Sequence, residues 1–225
     1  MHQMWGKLLF MHWRIDEKEL RSLIPEALEI DTFDGTAWIG IIPFTMWDIR
    51  AFPPYLPAVP GLSSAHELNV RTYVHYDRVP GVWFFSLDCN SMAAVLAARS
   101  FYHLTYYNAD IDLEQHGNAI DYSCKRTGDP PAHFKASWNI GETVPFSHPD
   151  SLEFFLTERY CLYAGNDGQL YRARVFHQPW PLQKATMNSY DSTMIEALGV
   201  AARDGEPVLN YAEELDVEIW PIHRV

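Results

Sequence analysis

The run His66-Glu67-Leu68-Asn69-Val70-Arg71-Thr72-Tyr73-Val74 sets a carboxylate, an amide, a guanidinium and a phenol at every second position. Alternate side chains of a strand share a face, so Glu67, Asn69, Arg71 and Tyr73 project to one side and Leu68, Val70, Thr72 and Val74 to the other. A guanidinium fork suits a carboxylate through two parallel hydrogen bonds, and a carboxyl group withdrawn from water is a candidate general acid or base. Glu67 and Arg71 stand roughly 13 Å apart along a strand, too far for a compact ion pair. Glu67 therefore lacks an evident neutraliser and is the residue expected to carry a perturbed pKa or to touch a ligand. In an ordinary two-layer protein such a polar side would simply face water.

The next run, Trp83-Phe84-Phe85-Ser86-Leu87-Asp88-Cys89-Asn90, follows a turn over residues 77–81 and reads as the second arm of an antiparallel hairpin. The expected register sets Arg71 against Asp88, Tyr73 against Ser86 and Asn69 against Asn90, and a slip by two residues leaves the faces unchanged. Both polar faces then coincide. A stripe of Glu, Asn, Arg, Tyr, Ser and Asp without the lysines of a solvated surface predicts the lining of a wet cavity. Arg71, Asn69, Tyr73, Ser86 and Asp88 are its expected ligand contacts, with Arg71 paired across to Asp88.

The remaining chain supplies the walls. Residues 7–13 read as a buried strand. Asp16 caps a short helix with Glu19 three residues on, and Pro25 ends it. Asp34-Gly35 joins strands 28–33 and 36–44, the second apolar on both faces and hence central. Residues 52–62 hold four prolines and predict a stiff loop, either a connector or a flap over the cavity mouth. An Ala-rich helix spans 91–102, and a meander follows at 109–115, 119–125 and 133–139. Ser151 opens a helix running to Gly165, with Leu152, Phe155, Leu156, Tyr160 and Tyr163 on one side. A strand at 168–175, a rigid turn at 177–182, a helix at 191–199 and a strand at 214–220 complete the pattern. Many short strands without βαβ alternation predict a mainly β fold with flanking helices, an antiparallel closed β-barrel formed by residues 1–225 as one domain. A barrel of that kind holds one small ligand.

Composition narrows the function classes. With 225 residues, 48% hydrophobic and 14% aromatic, the chain is expected to fold alone. A net charge of -12 without a basic run argues against nucleic acid and against anionic membrane surfaces as partners. Cys89, Cys124 and Cys161 are scattered and match neither a disulfide framework nor a metal or redox motif, which predicts reduced, partly buried thiols. The first residues lack a secretory layout and no apolar run suffices to span a bilayer, so the expected location is the cytoplasm. His66-Glu67 begins like a zinc-protease motif, but position 70 is Val. Glycine-rich phosphate loops and the serine nucleophile elbow are missing too. No metal and no cofactor is expected. His12 shares a face with Leu8 and Phe10, as a core histidine or as an acid or base facing the cavity. Arg159 is expected to partner a nearby carboxylate, and His177 with Trp180 reads as either a pocket wall or a surface turn.

Six stretches carry a family resemblance. They are Trp5-x-x-Leu8-Leu9-Phe10-x-His12-Trp13, Asp31-Thr32-Phe33-Asp34-Gly35-x-Ala37-Trp38-Ile39-Gly40, Glu67 through Val74, Gly81 through Asp88, Phe155-Leu156-Thr157-Glu158-Arg159-Tyr160, and Pro179-Trp180-Pro181-Leu182. Together they resemble the YqjF-like family of bacterial proteins over nearly the whole chain, a family without an established activity. That family is similar in turn to the acetoacetate decarboxylase-like superfamily, which implies a β-barrel with an interior cavity. In the decarboxylases a lysine after the central hairpin forms a Schiff base, assisted by a glutamate on an earlier strand. Glu67 matches that glutamate loosely. The segment matching the lysine is Leu104-Thr105-Tyr106-Tyr107, and tyrosine forms no imine. Lys7, Lys18, Lys125, Lys135 and Lys184 lie away from it, so Schiff-base decarboxylation is not expected and Tyr106 joins the ligand contacts.

Three functions follow. The first is a barrel binding a small polar or carboxylate-bearing molecule through Arg71, Asn69 and Tyr106. The second is a non-covalent acid/base enzyme acting on a small organic acid, with Glu67 or His12 as base. The third is a structural or partner-binding protein whose polar stripe is a hydrogen-bonded core. Nothing in the sequence selects an oligomeric state.

Overall fold

Two tight turns flank the strands around the polar stripe. Asp34 and Gly35 adopt φ of 50° and 71°, and Asp77 and Arg78 adopt 48° and 61°. Paired positive values give the turn whose twist matches that of the strands it joins. The structure, a computed structural model, describes residues 1–50, 64–200 and 204–225. Residues 52–62, read as a connector or flap, lie outside the described residues.

In chain order the elements are β1 (His2–Ile15), α1 (Glu17–Arg21), β2 (Glu29–Ile30), β3 (Ala37–Arg50), β4 (Ser64–Tyr76), β5 (Val79–Cys89), α2 (Met92–Tyr102), β6 (Tyr106–His116), β7 (Ala119–Arg126) and β8 (His133–Thr143). Then come α3 (Leu152–Thr157), β9 (Cys161–Asn166), β10 (Gln169–His177), β11 (Leu182–Ser192), a 3-10 turn (Glu196–Leu198), β12 (Asp204–Ile219) and β13 (His223–Arg224). The fold is mainly β with a few short helices. Neighbour pairings lead from β5 through β6, β7, β8, β11, β12, β1, β3 and β4 back to β5. Strand β5 is a branch point, antiparallel to β4 but parallel to both β6 and β9, so the sheet is mixed there instead of wholly antiparallel.

Both faces of the central strands are buried, which is why β3 reads as apolar throughout. On one face Leu9, Met11, Ile39, Ile41, Leu68 and Val70 pack with Tyr122, Phe134 and Trp138. On the other, Leu8, Phe10, Ile42, Phe44 and Cys89 pack with Trp180 and Leu182. Glu67, Asn69, Arg71 and Tyr73 of β4 belong to this second face.

Several expected elements differ. Residues 29 and 30 pair with β4, opposite His75 and Val74, and the anticipated hairpin with β3 is reduced to a Phe33–Thr36 bridge. The helix capped by Ser151 stops at Thr157, because residues 161–166 form a hairpin with β10 across Asp167-Gly168. Sheet pairing overrides the helical spacing of Tyr160 and Tyr163. The helix expected over 191–199 is a 3-10 turn ended by Gly199 at φ 78°, preceded by β11, whose mostly polar sequence hid it. Among the described residues no helix is long and apolar enough to cross a membrane. Cys89, Cys124 and Cys161 are unpaired and buried.

Candidate functional site

Glu67, Asn69, Arg71 and Tyr73 share one face of β4 and all are buried, Glu67 at 3% and Arg71 at 8% exposure. The partner strand differs from expectation. Glu67 lies opposite Cys89, Leu68 opposite Asp88 and Val70 opposite Ser86. A bulge at Phe85 then shifts the pairing so that Arg71 meets Phe84. A register one residue off moves a whole set of side chains to the other face. Asp88 and Ser86 therefore stand behind the sheet with Leu68 and Val70, away from Arg71.

Asp88 has its own cation there. Arg126 of β7 donates from Nε and a terminal nitrogen to the two carboxylate oxygens at 2.7 and 2.8 Å, with both side chains buried. Its guanidinium also covers the Tyr107 ring at 3.9 Å. Tyr106, one residue away and opposite Leu87, turns to the face of Glu67. Parity along β6 thus separates the two tyrosines: one serves the candidate site, the other the Asp88–Arg126 pair.

At the Glu67 end, Tyr106 Oη donates to Oε2 at 2.7 Å, and Tyr122 Oη holds the Glu67 backbone carbonyl at 2.9 Å. Burial pushes the Glu67 carboxyl up to about 8. The Tyr106 hydroxyl and the neighbouring Asn69 amide favour the anion but fall short of that penalty, and Asp88 behind the sheet adds to the rise. Near neutral pH this carboxyl is protonated. The Cys89 thiol beside it is pushed up to about 12, by burial first and by Glu67 second, and stays a thiol.

At the Arg71 end, three adjacent strands bring side chains into register. Gly40 of β3 lies opposite both His12 and Arg71. A Cβ there would stand 2.6 Å from His12 Cδ2, so only glycine admits the ring. Tyr73 Oη donates to the Leu156 carbonyl at 2.5 Å and meets His12 Nε2 at 2.6 Å. Since the phenolic proton is committed to Leu156, His12 Nε2 carries hydrogen and donates to Tyr73, leaving Nδ1 as a bare acceptor. Burial, then the field of Arg71, holds His12 well below its ordinary pKa, so the ring is neutral. The early end of α3 frees the Leu156 carbonyl for these contacts.

Arg71 itself is poorly matched. One terminal nitrogen donates to Leu156 O at 3.4 Å, the guanidinium lies over Phe10 at 5.4 Å and near Tyr73 at 5.7 Å, and Nε has no partner. Among the described residues no carboxylate pairs with it. Other buried atoms on this face are also unmatched: the donors Trp5 Nε1, Trp38 Nε1 and Asn210 Nδ2, and the acceptors His12 Nδ1 and Asn69 Oδ1. Native interiors satisfy nearly all such groups, so their concentration on one face is unusual. Donors predominate, which suits an acceptor-rich or anionic guest.

Around this face, Trp180 is buried edge-on to Phe10 at 5.1 Å and His177 stacks on Tyr160 at 4.7 Å, so the turn at 177–182 is a wall. Glu158 clamps that wall, accepting from the Trp180 backbone N–H at 2.9 Å and from Tyr160 Oη at 2.5 Å. Arg159 pairs with Asp31 at 2.5 Å, the structural partnership expected of it. Sequence reasoning missed Gly40, Glu158, Asn210 and the Leu156 carbonyl; only Gly40, a glycine inside an apolar strand, carried a signal. Two outer clefts, of about 340 and 550 Å³, are lined neither by Glu67 nor by Arg71. Lys18, Lys125 and Lys135 are exposed, Lys184 bonds Glu142 at the surface, and Lys7 bonds Gln115.

A family model described as an uncharacterized conserved protein matches residues 2–216. The uncharacterized protein YqjF of Bacillus subtilis (strain 168) is 44% identical over 224 residues, covering 100% of this chain and 92% of that protein. Among solved structures, the enduracididine biosynthesis enzyme MppR, complexed with the condensation product of pyruvate and imidazole 4-carboxaldehyde, is similar with a TM-score of 0.71 at 10% identity, covering 99% of this chain and 88% of that one. An acetoacetate decarboxylase-like enzyme from Sphingomonas wittichii RW1 gives 0.67 at 11% identity, covering 100% and 92%. An acetoacetate decarboxylase gives 0.65 at 16% identity, covering 100% and 88%. At such identities the likeness is one of fold.

Proposed function

The chain belongs to the DUF2071 family of uncharacterized conserved proteins, and from that premise we propose that it binds a small carboxylate-bearing molecule on the buried face between Glu67 and Arg71. The observation that carries this reading is Arg71: a buried guanidinium with an unpartnered Nε and no carboxylate beside it among the described residues. An uncompensated buried charge is expensive, and a bound carboxylate supplies the missing partner. The unmatched donors of Trp5, Trp38 and Asn210 add to the preference for an acceptor-rich guest. Asn69, Tyr73 and Tyr106 complete the contacts, and the circuit of strand pairings supports reading the sheet as a closed barrel around them. MppR, whose fold is similar, has been solved in complex with pyruvate, a molecule of this class. Buried free thiols suit a reducing cytoplasm.

Chemistry without a covalent intermediate is the second reading, favoured by the Glu67 carboxyl at about 8. An acid or base with a pKa near the working pH exchanges protons with a substrate most readily. His12, neutral and with a bare Nδ1, is the other candidate base. Schiff-base chemistry has no amine on this face, since the lysines lie at or near the surface.

Thermal unfolding with pyruvate, acetoacetate and related small acids tests the proposal. An acid at about a hundred times its Kd raises the midpoint by roughly 5–10 °C for a chain of this size, and Arg71→Ala abolishes the rise. No shift with any acid, or an equal shift in the variant, would leave the buried polar stripe as a structural or partner-binding core.

A further inference from the structure

Three of the exposed large hydrophobic side chains line one outer cleft: Tyr160 at 40%, Phe176 at 50% and Trp220 at 37% exposure. Phe176 lies on β10, and the other two flank that strand by backbone bonds. Val175 N–H donates to the Tyr160 carbonyl at 3.0 Å, and Trp220 N–H donates to the Arg174 carbonyl at 2.9 Å. The aromatic walls are therefore mounted on the sheet, where geometry is held more firmly than on loops. Arg174 and Phe176 share the outward face of β10, with the Arg174 guanidinium 5.9 Å from the Trp220 ring centre.

Among the side chains lining this cleft Arg174 is the single permanent charge, since burial lowers the pKa of His177 and keeps it neutral. It forms no ion pair among the described residues, although acidic residues outnumber basic ones 29 to 17 in the chain. A guanidinium resting its face on an aromatic ring keeps its edge donors available for a carboxylate. The cleft measures about 340 Å³, near the lower end for small-molecule sites, and so has room for one ring with a short acidic arm.

We propose that this cleft is a binding site for a small aromatic monocarboxylate, its ring against Phe176, Tyr160 and Trp220 and its carboxylate on Arg174. The cleft shares Tyr160 and His177 with the wall of the Glu67–Arg71 face but is lined by neither Glu67 nor Arg71, and the proposal stands whether or not that face binds an acid. Titration calorimetry of the protein with phenylacetate, and with phenylacetamide as the uncharged isostere, tests it in parent, Arg174→Gln, Phe176→Ala and Arg71→Ala forms. Both cleft substitutions replace exposed side chains. Saturable binding of phenylacetate is expected, weakened about tenfold or more by Arg174→Gln or by the uncharged isostere, weakened by Phe176→Ala, and unchanged by Arg71→Ala. Four outcomes overturn the proposal: no saturable binding, equal affinity for the isostere, dependence on Arg71 instead of Arg174, or a parent oligomer that Phe176→Ala converts to monomer. The last would show that a second copy covers the cleft.

Discussion

Replacing Glu67 by Gln isolates the proton on which the candidate site turns. The folded protein holds this carboxyl at about 8, against 4.5 for an ordinary glutamate. Between those values the native state keeps a proton that the unfolded chain has released, so the contribution of Glu67 to stability falls as pH rises through that window and then levels off. The sign is opposite to that of a salt-bridged carboxylate. At about 1.4 kcal/mol per pH unit, the loss across the window is of order 5 kcal/mol. Gln retains an acceptor for Tyr106 Oη and cannot ionise. Urea unfolding of parent and variant from about pH 5 to 9, followed by tryptophan fluorescence, should give a stability difference that shifts steadily toward the variant with rising pH. His12 acts with the reverse sign, since it stays neutral where the unfolded chain is protonated below its ordinary 6.5, and subtraction removes it. Parallel profiles, or a difference that moves the other way, would refute the protonated buried carboxyl.

Further substitutions probe the supporting contacts. Tyr106→Phe removes a hydrogen bond that favours the Glu67 anion, so the alkaline end of that difference profile should move upward in pH; an unmoved profile contradicts the contact. Gly40→Ala sets a methyl group 2.6 Å from the His12 ring and should lower stability by about 1–3 kcal/mol, measured by urea midpoint; a parent-like midpoint means that the ring does not lie over Gly40. Arg126→Met strands the buried Asp88 carboxylate and should lower stability by about 3–5 kcal/mol, with part regained on adding Asp88→Asn; an unaltered Arg126→Met protein removes the buried pair.

The alternation over residues 66–74 sufficed to group Glu67, Asn69, Arg71 and Tyr73, because side-chain period along a strand holds whichever strand lies alongside. Which residues of the neighbouring strand join them depends on turn length and bulges. The two-residue Asp77-Arg78 turn displaces the expected pairing by four residues, which leaves the faces unchanged; the skipped Phe85 alone moves Ser86 and Asp88 to the other face. The partner of Asp88, Arg126, sits on a strand remote in sequence, beyond the reach of local pattern. Helix α3 shows the same limit: its Ser151 cap was legible, whereas its end at Thr157 is set by pairing between β9 and β10. Strand β11 was not legible, because most of its residues are polar or partly exposed. The resemblance to acetoacetate decarboxylase-like proteins conveyed the mainly β fold, and the placement of Tyr106 against Glu67 needed the parallel pairing of β5 with β6.

Binding on the buried face is tested most directly by a crystal structure of the protein grown with saturating pyruvate. The expected result is density for the acid on the Phe10 side of the sheet, its carboxylate within hydrogen-bond distance of Arg71 and beside the walls formed by Trp180 and Tyr73. Density confined to the outer surface, with Arg71 still resting only on the Leu156 carbonyl and the Phe10 and Tyr73 rings, would contradict it.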